Sequence, residues 1–256
     1  MIECNIDDSV AQIVLNNPSA NTFTGEGLDE LRMVIAKLNG DARVRAVLIT
    51  GAGEKFFSAG ADLKQFADGD QVRARLVAQR FGATFEALQQ ARPVVIAAIN
   101  GFAMGGGLEC ALSCDMRVCE EHAQMALPEP SVGLLPAGCG TQTLPWLVGE
   151  GWAKRMILTN ERVNAETALR IGLVEQVVPR GQARAAALEI AQRVATLSPK
   201  AVTYSKALIH QAREGTPRHA ALSIERERFL DLFDGEDQRE GVNAFLEKRK
   251  PNWRGT

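Results

Sequence analysis

Apolar positions along this chain follow two alternating periods. Ala11-Gln-Ile-Val-Leu15 and Val44-Arg-Ala-Val-Leu-Ile49 are short β-branched runs that read as strands; between them Leu28, Leu31, Val34, Ile35 and Leu38 recur at the spacing of one helix face. A glycine turn, Gly51-Ala-Gly53, ends the second strand, and Phe56-Phe-Ser-Ala-Gly-Ala-Asp-Leu63 reads as a loop. Val72, Leu76, Val77, Phe81, Phe85 and Leu88 predict an amphipathic helix over 71–90, which Pro93 stops before the apolar strand Val94-Val-Ile-Ala-Ala-Ile99. Met116–Cys119 and Leu173–Val178 supply two further short strands. After Val178 the strand signal ends. An Ala-rich helix over 182–197, a second over 199–211 and charged helical segments up to Lys250 remain. The pattern predicts an α/β protein with a helical C-terminal extension. Three such helices cannot easily bury a core of their own, so they should pack on the sheet or on another subunit.

At 256 residues the chain can bury a substantial core as one domain, or as one domain with a smaller appendage. Hydrophobic residues at 46% and charged residues at 23% exclude a disordered or fibrous protein, and no apolar run approaches the roughly 20 residues that span a bilayer. The start, Met1-Ile-Glu-Cys-Asn-Ile-Asp-Asp8, lacks the features of a secretory or transit segment, so a soluble cytoplasmic protein is the expectation. A net charge of −2 provides no overall field for nucleic acid, and no nucleic-acid partner is expected. Cys110, Cys114 and Cys119, among five cysteines, lack the paired short spacing of a zinc site and read as buried hydrophobic thiols, with no metal expected. The chain has three histidines, His122, His210 and His219, read as structural or exposed; this leaves a Ser-His-Asp or Cys-His mechanism few candidates. Any chemistry then falls to carboxylates and backbone.

Two segments hold both. Gly101-Phe-Ala-Met-Gly-Gly-Gly-Leu-Glu-Cys110 carries three consecutive glycines that open a helix after a strand, and Leu127-Pro-Glu-Pro-Ser-Val-Gly-Leu-Leu-Pro136 follows it. Unpaired N–H groups at an exposed helix start can bind a developing negative oxygen, and Glu109 falls in the first turn beside them. Taken singly, Glu109 reads as a capping or solvated acid and Glu129 as a loop charge. Their joint occurrence with the Ser58-Ala-Gly-Ala-Asp62 loop points to a site. The glycines do not give the full dinucleotide-binding spacing with an acid ending the next strand.

Phe57-Ser-Ala-Gly-Ala-Asp-Leu-Lys64, Asn100 to Glu109, Leu127 to Pro136 and Glu166-Thr-Ala-Leu-Arg-Ile-Gly-Leu-Val174 together resemble the enoyl-CoA hydratase/isomerase, or crotonase, family. The likeness runs from Leu15-Asn-Asn-Pro18 to Arg239–Pro251. It implies a crotonase-like (ClpP/crotonase) fold of repeated ββα units in two nearly perpendicular sheets, with a core over 1–195. A helical C-terminal region over 196–256 would serve trimer formation, usually within a hexamer built as a dimer of trimers. It implies an acyl-CoA substrate whose enolate is stabilised by the backbone N–H groups of Ala61 and Gly106. A side chain at 106 would obstruct close approach of the thioester oxygen. Ala59, Asp62, Leu63 and Lys64 would bind coenzyme A, and Phe229 and Lys248 would reach the coenzyme A of a neighbouring subunit.

Both acid positions of the family's hydratases are filled, by Glu109 and Glu129. The resemblance therefore implies syn addition of water to a trans-2-enoyl-CoA, giving a 3-hydroxyacyl-CoA. Glu129 would protonate C2 while Glu109 helps to deprotonate the water, with no cofactor beyond the coenzyme A of the substrate. The alternatives are a 3-enoyl to 2-enoyl-CoA isomerase and a non-catalytic acyl-CoA or RNA-binding member. The acidic net charge and the intact pair of glutamates weigh against the non-catalytic reading. The sequence departs from the family pattern over 136–145: Ala137 and Cys139 stand where glycines are common, and Thr143 where arginine is. These changes bear on substrate preference rather than reaction type.

Overall fold

Val94–Ile99 shows no polar alternation because it runs through the middle of a sheet covered on both faces, and all six residues are buried. The computed structural model describes residues 1–255. In chain order the elements are β1 (Ile2–Asp7), β2 (Val10–Leu15), α1 (Gly25–Gly40), β3 (Ala46–Gly51), β4 (Phe56–Ser58), α2 (Gln71–Gln89), β5 (Val94–Ile99), β6 (Phe102–Met104) and α3 (Gly106–Leu112). They continue with β7 (Met116–Glu120), β8 (Gln124–Ala126), α4 (Gly140–Leu158), β9 (Val163–Asn164), α5 (Ala165–Arg170), β10 (Gln176–Val178), α6 (Ala183–Ala195), α7 (Pro199–Gln211), α8 (Arg218–Asp231) and α9 (Glu236–Leu246).

The strands form two sheets. The larger has the order β1-β2-β3-β5-β7-β10 and is parallel except for the β1–β2 pair; the smaller has the order β4-β6-β8-β9. Three successive units repeat one plan: a strand in the large sheet, a short strand in the small sheet, then a helix. These are β3-β4-α2, β5-β6-α3 and β7-β8-α4. This is the ββα architecture of the crotonase fold. The side-chain period of two splits each central strand between two cores. Val47, Ile49, Val95, Ala97 and Ile99 face the helices α1 to α4, while Ala46, Leu48, Val94, Ile96 and Ala98 face α6.

Several elements depart from the pattern read along the chain. Phe56–Ser58, read as loop, is strand β4, paired in parallel with β6. Its three residues are too few to show a period, and the polar Ser58 is buried because its hydroxyl donates to the Asn21 carbonyl at 2.7 Å. Strands β1, β6, β8 and β9 gave no signal either: β1 is a mostly exposed edge, and the others have two or three residues. The strand read over 173–178 shrinks to Gln176–Val178. Helix α4 lacks a clean apolar face and breaks at Gly149, whose φ is +78°. The charged C-terminal segments form α8 and α9, so that four α-helices, rather than the three expected, follow Val178 among the described residues.

Helix α6 packs on the large sheet through Ala183, Ala187 and Ala191, all fully buried. Helices α7 and α8 bury no residue completely within the chain, and Phe229, Leu230, Phe233, Phe245 and Leu246 remain exposed. Among the described residues no helix is long and apolar enough to cross a membrane. The alanine seam of α6 leaves no room for added methylenes. Ala187→Leu is expected to destabilise the fold by about 1–3 kcal/mol, read as a lower urea midpoint at unchanged m-value.

Candidate active site

The site begins where three backbone segments pack without side chains between them. A Cβ on Gly107 would lie 2.2 Å from the Ser58 carbonyl oxygen, and one on Gly60 would lie 2.6 Å from that of Met104. Both positions therefore require glycine, and the 58–61 loop is pressed against the start of α3. The loop is held from its other side as well: the Ala59 amide donates to the Ala20 carbonyl at 2.9 Å, and Phe23 pairs with Ala61 in a parallel bridge. Asn21 braces the same region through its side-chain amide, which donates to the carbonyls of Ala52 at 3.0 Å and Phe56 at 2.9 Å. As a result, Ala61 and Gly106 line one cavity, and neither of their N–H groups donates a hydrogen bond among the described residues. The start of α3 is buried at the cavity wall, not on the open surface as the sequence suggested.

The cavity has a volume of about 500 Å³ and mainly apolar walls. Val77 and Phe81 of α2, Leu63 and Phe66 of the preceding 3-10 turn, and Leu134 and Leu135 from the segment before α4 form most of its lining. Phe81 also explains glycine at 106, since a Cβ there would come within 2.7 Å of its ring. One turn further along α2, Phe85 sits where a Cβ on Gly138 would lie, 2.5 Å away. Phe23, Phe81 and Phe85 meet edge-on, with ring centroids 5.5–5.9 Å apart, which fixes the two phenylalanines that face the glycines.

Two carboxyl groups reach this cavity in different settings. Glu109, in the first turn of α3, is only 3% exposed. Its Oε1 accepts from the amides of Gly138 at 2.9 Å, Cys139 at 2.9 Å and Gly140 at 2.8 Å, while Oε2 takes part in none of these bonds. Burial raises its pKa, and the three amides, which favour the anion, oppose that rise. Glu129 starts a 3-10 turn over Glu129–Val132, and its Oε2 is buried without a hydrogen-bond partner. Its pKa is pushed up to about 7, chiefly by burial, with the nearby charge of Glu109 adding to the rise and a bond from its own backbone opposing it. Gly105, with φ +54°, gives Glu129 its place: a Cβ there would stand 2.7 Å from Glu129 Oε1.

The remaining residues singled out from the sequence divide into two groups. Ala59 and Leu63 line the cavity. Asp62 caps the turn Leu63–Phe66 by accepting from the Lys64 amide at 3.1 Å, and the Lys64 side chain is exposed. Phe229 and Lys248 are exposed and line no part of this cavity within the chain. The departures in 136–145 also separate: Ala137 lines the cavity, whereas Cys139 and Thr143 lie behind it. Sequence reasoning did not identify the amides of 138–140 as the grip on Glu109. Backbone groups leave no residue-type signal, and the only hint was the glycines flanking position 139.

Unpaired amides and two acids, one buried and one half-buried, around an apolar cavity on a ββα scaffold define a member of the crotonase class. Residues 5–256 match the enoyl-CoA hydratase/isomerase family, and the chain belongs to it. It is 40% identical over 245 residues to a short-chain-enoyl-CoA hydratase of Clostridium acetobutylicum, covering 95% of this chain and 94% of that one. Among solved structures, Pseudomonas aeruginosa DspI superposes with a TM-score of 0.97 at 62% identity, covering 99% of this chain and 96% of that one. An enoyl-CoA hydratase from Bacillus anthracis superposes with a TM-score of 0.96 at 38% identity, covering 100% of this chain and 99% of that one.

The setting of Glu129 carries a consequence for stability. Its folded pKa of about 7 lies above that of an unfolded glutamate, so the folded state holds the proton more tightly. The stabilisation from this group is full below about pH 4.3 and is lost as pH rises through about 7. Glu129→Gln should therefore be more stable than the unaltered protein at pH 8, with the difference shrinking toward zero at acid pH. Equal urea midpoints at pH 8 would contradict a strained carboxylate.

Proposed function

We propose that the protein is an enoyl-CoA hydratase, adding water to a trans-2-enoyl-CoA to give a 3-hydroxyacyl-CoA in fatty-acid breakdown. The observation that carries this reading is the pair of acids in unlike settings beside two unpaired amides on one cavity wall. The thioester carbonyl oxygen accepts from the N–H groups of Ala61 and Gly106, which stabilise the enolate as charge moves onto that oxygen. Each such donor lowers the barrier by about 2.7–4 kcal/mol. Water adds to C3 and gives up a proton toward Glu109, whose anion is favoured by three amides. Glu129, whose pKa of about 7 keeps a large protonated fraction at neutral pH, delivers its proton to C2. The two transfers sum to one water added, and a proton passed from Glu109 back to Glu129 resets the pair.

Ala59, Leu63 and the exposed Lys64 are the proposed contacts for the coenzyme A part of the substrate, with Asp62 shaping the turn they stand on. Residues 196–256 are proposed as a trimerisation region, within a trimer or a dimer of trimers. The apolar side chains that α8 and α9 leave exposed support this, and there Phe229 and Lys248 would meet a neighbour's coenzyme A. Five free thiols suit a reducing compartment, and the cytoplasm is the proposed location.

Loss of the conjugated enoyl absorbance of crotonyl-CoA, with formation of a hydroxyacyl product, tests the reaction; an isomerase would leave that absorbance in place. Glu129→Gln is expected to lower kcat by at least about 100-fold while calorimetric binding of coenzyme A stays nearly unchanged. Intact turnover in that variant would remove Glu129 from the chemistry.

A further inference from the structure

Position 139, where the family commonly has glycine, carries the one side chain in the turn that holds Glu109. On either side a side chain is sterically barred: a Cβ on Gly138 would strike Phe85 at 2.5 Å, and one on Gly140 would strike Leu127 at 2.8 Å. Cys139 instead directs its thiol away from the cavity and toward α3. Its Sγ lies 3.4 Å from the Glu109 carbonyl oxygen and 3.3 Å from Ser113 Oγ. Ser113 bonds the same carbonyl, from its hydroxyl at 2.8 Å and its amide at 3.0 Å. Thr143, another departure from the family pattern, lies behind the cavity as well and accepts from Gln89 Nε2 at 3.4 Å. Glu109 is thus held at both ends, and Cys139 takes part at each: its amide bonds the carboxylate and its thiol bonds the peptide carbonyl.

We propose that Cys139 is a positioning residue for Glu109, its thiol tying the start of α4 to the peptide of Glu109 so that the three gripping amides stay in register with the carboxylate. The role rests on the hydratase reading for its effect on turnover, but not for its effect on Glu109 itself. Burial pushes the thiol pKa up to about 11, so it stays a neutral donor at working pH and adds no charge beside the acids. The titratable groups facing this cluster are Glu129 across the cavity and Cys110 and Cys114 from α3 and the turn after it. Both of those thiols are themselves raised by burial.

Cys139→Ala, Cys139→Ser and Cys139→Gly test the role with two readouts: hydration of crotonyl-CoA, and the titration midpoint of the Glu109 carboxyl by carbon-13 NMR, assigned with Glu109→Gln. Alanine and serine differ only in the donor, so their comparison isolates it. The alanine variant should lose about five-fold in kcat at unchanged KM, the worth of one hydrogen bond. Its Glu109 midpoint should move up as the amides loosen, and serine should restore most of both. Glycine should resemble alanine, which keeps the comparison available if either of the other variants folds poorly. An unmoved midpoint in the alanine and glycine variants, or a serine variant no nearer the native protein than alanine, overturns the proposal. If the unaltered protein leaves crotonyl-CoA intact, the hydratase reading fails, and the midpoint still decides what Cys139 does.

Discussion

A carboxylate buried at 3% exposure survives in this fold because three main-chain amides converge on one of its oxygens. Removing such a group from water is costly unless its hydrogen bonds are replaced, and the turn Gly138–Gly140 that leads into α4 supplies them from main-chain amides alone. The bond set also fixes distance: α3, which carries Glu109, cannot shift against the turn before α4 without breaking it. The cavity wall between those two elements, including the start of α3 with its free amide at Gly106, inherits that rigidity. Glu129 lacks such support, with an orphaned oxygen and a pKa near 7. Two residues of one chemical type thus become unlike groups through their surroundings alone, which is the arrangement that paired acid and base work demands.

Close backbone packing produces the rest of the site. Gly60 and Gly107 let the 58–61 loop touch the end of β6 and the start of α3, while Gly106 and Gly138 receive the rings of Phe81 and Phe85. One face of α2 therefore presses on both the proposed oxyanion amide and the turn that grips Glu109. The hydrophobic core and the polar site are not separate regions here. Core phenylalanines set how closely the backbone donors approach, so packing errors in α2 propagate directly to hydrogen-bond geometry.

Much of the large sheet was legible along the chain because its central strands are six-residue apolar runs, buried on both faces, and α1, α2 and α7 carry a helical period or a proline start. The small sheet was not legible. Strands β4, β6 and β8 have three residues each, and their pairing joins segments tens of residues apart, so local pattern holds no trace of them. Ser58 illustrates the difficulty: a polar residue in a glycine-rich stretch looks like loop, and its burial rests on donating to the Asn21 carbonyl across the fold and accepting from the Gly60 amide. Helix α4 failed for another reason, its apolar residues being spread around the axis and its path broken at Gly149.

The sequence by itself determined the family, the α/β class and the pair of acids, since these rest on residue identity and spacing. It could not say which acid would be anchored and which left with an unpaired oxygen, because that depends on amides with no side-chain signature, delivered by a turn about thirty residues beyond Glu109. Nor could it show that Asp62 caps a turn, that Cys139 faces α3 rather than the cavity, or that glycine at 106 answers to Phe81. Residue type sets which chemistry is available; protonation, reach and contact arise from burial and distance, and those exist only once the chain has closed on itself.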